Sequence, residues 1–144
     1  MAIVASTAPT HAGSPADTVK ERRALMKNMG GHAKEIGGFR IKGMGTAADA
    51  AGHADAIAAN ADKIVALYPK GTGPDDNVGK TRAKAEIWTD RGKFEASAAE
   101  LKTLAMNLAS AARGGDKKAI GMAMGAMGKQ GCGGCHQAFR AKKK

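Results

Sequence analysis

Two cysteines and a histidine close to the C-terminus are the residues best placed to do chemistry, in the run Cys132-Gly133-Gly134-Cys135-His136. On a helix, thiols at this spacing lie about one turn apart, and a histidine four residues after the first shares their face. Such thiols can add to the two vinyl groups of one haem, and the imidazole can then ligate its iron. C-x-x-C-H is the spacing of c-type haem attachment. One covalent haem c is therefore the expected cofactor, with His136 as proximal iron ligand. Two competing readings are weaker. A zinc site needs four ligands, and the other histidines, His11, His32 and His53, stand isolated in the sequence. A thioredoxin-like dithiol belongs beside a strand, and no strand pattern precedes Cys132. His32 and His53 read as surface or internally satisfied histidines rather than iron ligands.

A proximal histidine leaves the other face of the iron to be filled or left open. Met26 lies on the inward stripe of the first helix, and thioether sulfur is a normal sixth ligand for electron-transfer haem. The plainer reading of Met26 is a core methionine, one of eight in the chain. Arg22 falls on the same stripe one turn earlier. A lone charge facing a core is costly unless paired, and a haem propionate is a suitable partner. Its alternative is a side chain that reaches out to water at the bundle end. Arg140, four residues after His136, is placed to lie beside the proximal imidazole and oppose its protonation, or else to begin a solvated basic tail with Lys142, Lys143 and Lys144. Trp88 reads as a packing residue over the haem end rather than a redox relay.

Four segments with helical periodicity must position these groups, and almost nothing reads as strand. The first opens at Ser14-Pro15-Ala16-Asp17, a cap followed by proline and an acid. Its stripe is Val19, Arg22, Met26, Met29, Ala33 and Ile36, and Gly37-Gly38 is expected to end or kink it. The second starts near Thr46 and carries Ala54, Ile57, Ala61, Ile64 and Leu67, stopping before Pro69. Pro69 to about Lys84 reads as a loop. The third begins after Trp88 with Thr89 as cap, its stripe being Phe94, Ala98, Leu101, Leu104, Leu108 and Ala111. Gly114-Gly115 closes it, and Asp116 caps a fourth helix running to about Ala141. The pattern predicts an all-α, antiparallel four-helix bundle, up-down-up-down, over residues 14–144.

Composition agrees with a cofactor-filled interior. The chain has 144 residues and is 43% hydrophobic, yet it holds only five aromatic residues and has 20 glycines. Alanine dominates the apolar set and buries little area, so helices must pack closely or surround added apolar bulk. Gly128, Gly131, Gly133 and Gly134 crowd the fourth helix, a burden of roughly 2–4 kcal/mol relative to alanine. The net charge of +10 first suggests nucleic acid. The basic residues are scattered, however, and the aromatic residues are too few for a stacking platform. A basic surface equally suits acidic redox partners. No run approaches the roughly 20 apolar residues of a membrane span. Residues 1–13 read as a tail, with Thr10-His11-Ala12 resembling the end of a secretory signal.

The run Gly131-Cys132-Gly133-Gly134-Cys135-His136-Gln137-Ala138-Phe139-Arg140 resembles the end of the cytochrome c′ / cytochrome c-556 family. Ala85-Glu86-Ile87-Trp88-Thr89-Asp90 with Phe94 is similar to its middle signature, and Val19 to Met29 is similar to its first helix. The resemblance implies a periplasmic four-helix bundle with haem near one end, and the position of Met26 facing the iron. It implies an Arg or Lys near the proximal ligand at Arg140. It also implies either a monomer or a homodimer pairing through the first two helices. Methionine at 26, with the Leu25-Met26-Lys27 and Leu67-Tyr68-Pro69 contexts, favours the c-556 type. The expectation is a periplasmic electron carrier, not an enzyme, with low-spin His136/Met26 haem. The alternative is a five-coordinate cytochrome c′ that binds nitric oxide or another diatomic gas.

Overall fold

A computed structural model describes residues 13–143, so the expectations for His11 and the rest of residues 1–12 lie outside the described residues. Helix α1 spans Pro15–Lys42. Ser14 caps it: its hydroxyl accepts from the Asp17 amide at 3.2 Å, while the Asp17 carboxylate accepts from the Ser14 amide and hydroxyl. Thr46 and Asp49 form the same reciprocal box at the start of α2, Ala47–Ile64, which runs on as a tighter turn over Val65–Leu67. Each box satisfies amides that the first helical turn leaves without partners.

The expected break at Gly37-Gly38 does not occur. Helix α1 continues to Lys42 and ends at Gly43, whose left-handed φ of 67° suits a residue without a Cβ. Ile36 and Phe39, both buried, carry its inward face across the glycine pair. A short helix, α3 (Glu86–Thr89), follows the loop and precedes α4 (Arg91–Gly114), whose cap position is Asp90 rather than Thr89. The fourth segment is α5 (Lys117–Ala126), a π-helical stretch over Met127–Gly133, and α6 (Gly134–Phe139). It stops two residues short of Ala141.

The four long segments form the antiparallel four-helix bundle that the periodicity implies. Helix α2 packs along both α1 and α4, and α4 packs on the fourth segment. The buried faces of α2 and α4 are rich in alanine, with Ala50, Ala51, Ala54, Ala58 and Ala61 on α2 and Ala98, Ala105, Ala109 and Ala112 on α4, interspersed with Ile57, Ile64, Leu101 and Leu108. Small side chains let these two backbones approach closely. The real α4 stripe is Phe94, Ala98, Leu101, Ala105, Leu108 and Ala112, so Leu104 and Ala111 lie one position off it, only partly buried. At the other end the chain supplies bulk. Tyr68, Phe94 and Phe139 form edge-on pairs with centroids 5.0 and 5.3 Å apart, and Trp88 lies 6.2 Å from Tyr68.

A candidate haem site at the aromatic end

The π-helical stretch leads directly into the chemistry-bearing run. Gly131 is buried within it, and a Cβ there would stand 3.0 Å from Leu101 Cδ1 and 3.3 Å from Leu104 Cδ1. The segment therefore lies against α4 with no room for a side chain at that position. A Cβ at Gly133 would lie 3.1 Å from the Gly128 carbonyl, so the widened turn itself uses a second glycine. Gly128, by contrast, faces open space. π-turns of this kind recur at functional sites because they re-aim the side chains that follow. Cys132 falls in the π-turn and Cys135 and His136 in α6, so the two thiols are not related by one regular α-helical turn as the sequence suggested.

Cys135 and His136 line a cavity of about 460 Å³ between α1, the 68–83 loop, α4 and α6. Met26 of α1 lines the same cavity, as do Arg22, Tyr68, Ile87, Phe94, Phe139 and Arg140. Cys132 is not on that wall; it packs half-buried against the core. Trp88 is also off the wall: it stands behind Tyr68, and its Nε1 donates to the Pro69 carbonyl at 2.9 Å. Its role is to brace the loop. Burial pushes both cysteine thiols up in pKa and pushes the His136 imidazole down, with the Arg140 and Arg82 charges acting in the same direction. At neutral pH these groups are thiols and a neutral imidazole, the forms needed for thioether formation and for an imidazole lone pair.

Arg22 is 2% exposed, although it carries a guanidinium. Its Nη1 donates to Thr72 Oγ1 at 3.0 Å, and its Nη2 donates to the Thr72 carbonyl at 2.9 Å and to Thr81 Oγ1 at 2.8 Å. The guanidinium lies 4.5 Å over the Tyr68 ring. These partners are neutral, and burial lowers the Arg22 pKa. A buried cation held only by neutral groups favours an anion in the cavity that it lines. Arginine has five N–H donors, of which three are used, so donors remain for a carboxylate. This is the observation on which the site fits a haem: a nitrogen ligand, a thiol, a thioether, aromatic walls and an uncompensated cation share one cavity.

The loop over the cavity is fastened at both ends. Arg91 donates to the Tyr68 and Val65 carbonyls at 2.8 and 2.9 Å, closing the end of α2. An antiparallel bridge joins Ala83 to Arg140, with Lys84 N donating to the Phe139 carbonyl at 2.9 Å and Ala141 N to the Arg82 carbonyl at 2.8 Å. This bridge sets Arg82 and Arg140 beside His136. Sequence patterning does not register Arg82, Thr72 or Thr81, because their partners lie about 50 to 60 residues away. His32 and His53, expected to be satisfied histidines, satisfy one another across α1 and α2.

Comparison with known proteins agrees with this architecture. The family model described as Cytochrome C' matches residues 17–140. The cytochrome c' of Pararhodospirillum photometricum is 38% identical over 128 residues, 88% of this chain and 98% of its own. The cytochrome c-556 of Agrobacterium tumefaciens is 33% identical over 129 residues, 89% of this chain and 100% of its own. Among solved structures, cytochrome c' from Thermochromatium tepidum matches with TM-score 0.81 and 31% identity, covering 92% of this chain and 100% of that one. A nitric oxide complex of a variant cytochrome c prime from Alcaligenes xylosoxidans matches with TM-score 0.78 and 26% identity, at the same coverage.

Proposed function

We propose, from the premise that the chain belongs to the cytochrome c′ family and carries one covalent haem c, that it is a periplasmic haem protein whose iron has an open coordination position for a diatomic ligand such as nitric oxide. Cys132 and Cys135 would tether the haem, and His136 would ligate its iron. Met26, on the α1 wall of the same cavity, would screen the iron without binding it. Bound there, the haem supplies an iron that exchanges one electron and accepts a small ligand. The protein's part is to hold and screen it. Arg22 would meet a propionate with the donors that its threonine partners leave free. Arg82 and Arg140 keep the His136 imidazole from taking a second proton. Tyr68, Phe94 and Phe139 exclude water from the ring. No substrate is turned over in this reading.

The single observation that carries the proposal is the shared cavity, with Met26 of α1 and His136 of α6 on its walls. The likeness to cytochromes c′, at up to 38% identity against 33% for the cytochrome c-556, supports an open iron over the expected c-556-like carrier. A second reading keeps the carrier function, because a thioether on the same wall can serve as sixth ligand. For that reading the basic rim of Arg23, Lys80, Arg82, Arg140 and Lys143 suits an acidic redox partner. One set of optical spectra on the holoprotein separates the two. The proposal expects broad high-spin ferrous bands that change at once on adding carbon monoxide, and no change of spin state in Met26→Ala. Sharp low-spin bands with a weak far-red ferric absorption, lost in Met26→Ala, would overturn it in favour of the carrier.

A further inference from the structure

The chain beyond His136 is held by partners from elsewhere in the sequence. Helix α6 has six residues and follows a glycine-rich π-turn, so its own hydrogen bonds hold it weakly. Three bonds fasten it to the end of the 68–83 loop. Lys84 N donates to the Phe139 carbonyl at 2.9 Å, Ala141 N donates to the Arg82 carbonyl at 2.8 Å, and Arg82 Nε donates to the Ala141 carbonyl at 2.8 Å. The first two are main-chain bonds, open to any donor residue but proline. Only the third depends on a side chain. We propose that Arg82 is a positioning residue for the iron site: through Ala141 it latches the loop to the segment after α6, and so fixes the turn that carries His136. This inference rests on the reading that His136 ligates the iron.

Arg82 stands between two anchored neighbours. Thr81 Oγ1 accepts from Arg22 Nη2 at 2.8 Å, which ties the loop to α1, and from Ala83 N at 3.2 Å. Ala83 pairs with Arg140, whose amide in turn donates to the His136 carbonyl at 3.0 Å and closes the last turn of α6. A chain of contacts therefore runs from the α1 wall, which carries Met26, to the α6 wall, which carries His136, and Arg82 is its link across the strap. With the latch closed, the His136 turn cannot swing off the cavity wall, and an exchangeable ligand is confined to the Met26 side. The half-buried Arg82 also lines the cavity, where its charge lies beside His136. Charge and hydrogen bond are separable by substitution. Glutamine places its amide nitrogen the same number of bonds from Cα as arginine places Nε, so it keeps the donor and loses the charge. Methionine loses both.

The test compares the wild-type, Arg82→Gln and Arg82→Met holoproteins by amide hydrogen exchange and by resonance Raman spectra of the ferrous haem. In Arg82→Met, exchange at the Lys84, Arg140 and Ala141 amides should accelerate at least about tenfold, the effect of one lost charge-assisted bond. Amides of α2 and α4 should keep their protection. The iron–histidine stretching band should broaden or split as the His136 turn loosens. Arg82→Gln should resemble the wild type in both readouts. Both variants lose one positive charge beside the iron and should lower its reduction potential alike, so charge cannot account for a difference between them. Unchanged exchange or an unchanged iron–histidine band in Arg82→Met would overturn the inference, as would Arg82→Gln matching Arg82→Met in both readouts. A wild type without an iron–histidine band overturns the open-iron reading instead. Exchange at the Arg140 amide, bonded to the His136 carbonyl, then still decides whether Arg82 fixes that turn.

Discussion

Replacing Arg22 by Met tests how the loop is held over the cavity. Methionine keeps much of the side chain's length and apolar stem but removes the guanidinium fork. Three hydrogen bonds from a charged donor are lost, to Thr72 Oγ1, the Thr72 carbonyl and Thr81 Oγ1. The contact over Tyr68 at 4.5 Å is lost with them. Hydrogen bonds to charged groups contribute about 1.5–3 kcal/mol each, and a desolvated cation–π contact about 2 kcal/mol. Against this stand the desolvation of a buried cation, several kcal/mol, and rotamer entropy of about 2 kcal/mol. The net destabilisation expected is about 2–4 kcal/mol, the balance of those terms. For a domain of this size that lowers the melting temperature by roughly 6–14 °C. The assay is thermal unfolding of the holoprotein, followed by far-ultraviolet dichroism and by the Soret band. Loop proteolysis between Pro69 and Lys84 should accelerate in parallel. Arg22→Lys should recover little, since lysine keeps the charge without the fork. A melting point within about 2 °C of the wild type, a shift worth well under 1 kcal/mol, would refute the account of Arg22 as the loop's anchor.

Glycines that look alike in the sequence should part company. Gly131→Ala forces a methyl to within 3.0 Å of Leu101 Cδ1 and should destabilise by about 1–3 kcal/mol in urea titrations. Gly125→Ala, with open space around it inside α5, should stabilise by up to about 1 kcal/mol. The two capping boxes set a pH window. Asp17 and Asp49 both have pKa values lowered below 3.8, chiefly by the Ser14 and Thr46 hydroxyls. A depressed folded pKa means stability that is present above the unfolded value and lost as pH falls through the folded one. Urea midpoints should therefore fall below pH 4 in the wild type, and less steeply in the Asp17→Asn/Asp49→Asn double variant, because the asparagine carbonyls can still accept from the Ser14 and Thr46 amides but do not titrate.

Features that repeat locally are the ones legible from residue order. The cap at Ser14, the stripe through Val19, Met29 and Ile36, and the C-x-x-C-H run depend on spacings of three or four residues: Ser14 starts α1, the stripe is buried on its inward face, and Cys135 and His136 line the cavity. Gly37-Gly38 misleads because propensity favours a break there, whereas Ile36 and Phe39 bury enough apolar surface to carry the helix through. Leu104 looks like core because it is large. Close approach of α2 and α4 instead selects Ala105, fully buried at the adjacent position. The π-turn leaves no signal in apolar period, since it changes the helical phase over only Met127–Gly133. Arg22 is legible as a misplaced charge, but its threonine partners are not, because nothing in the order of residues announces a contact across 50 positions.

The alanine seam between α2 and α4 also shapes how stability varies with temperature. Unfolding raises heat capacity in proportion to the apolar area exposed, about 0.45 cal/K/mol for each Å². A methyl exposes little of it, so a seam of alanines holds two helices together while adding little curvature to the stability profile. The aromatic end, with Tyr68, Phe94 and Phe139 around the cavity, holds most of the large buried rings. The curvature of the whole domain is therefore set mostly by its larger buried side chains, Tyr68, Phe94 and Phe139 at the cavity and Ile36, Ile57, Leu108, Ile120 and Met127 along the bundle, rather than by its alanines.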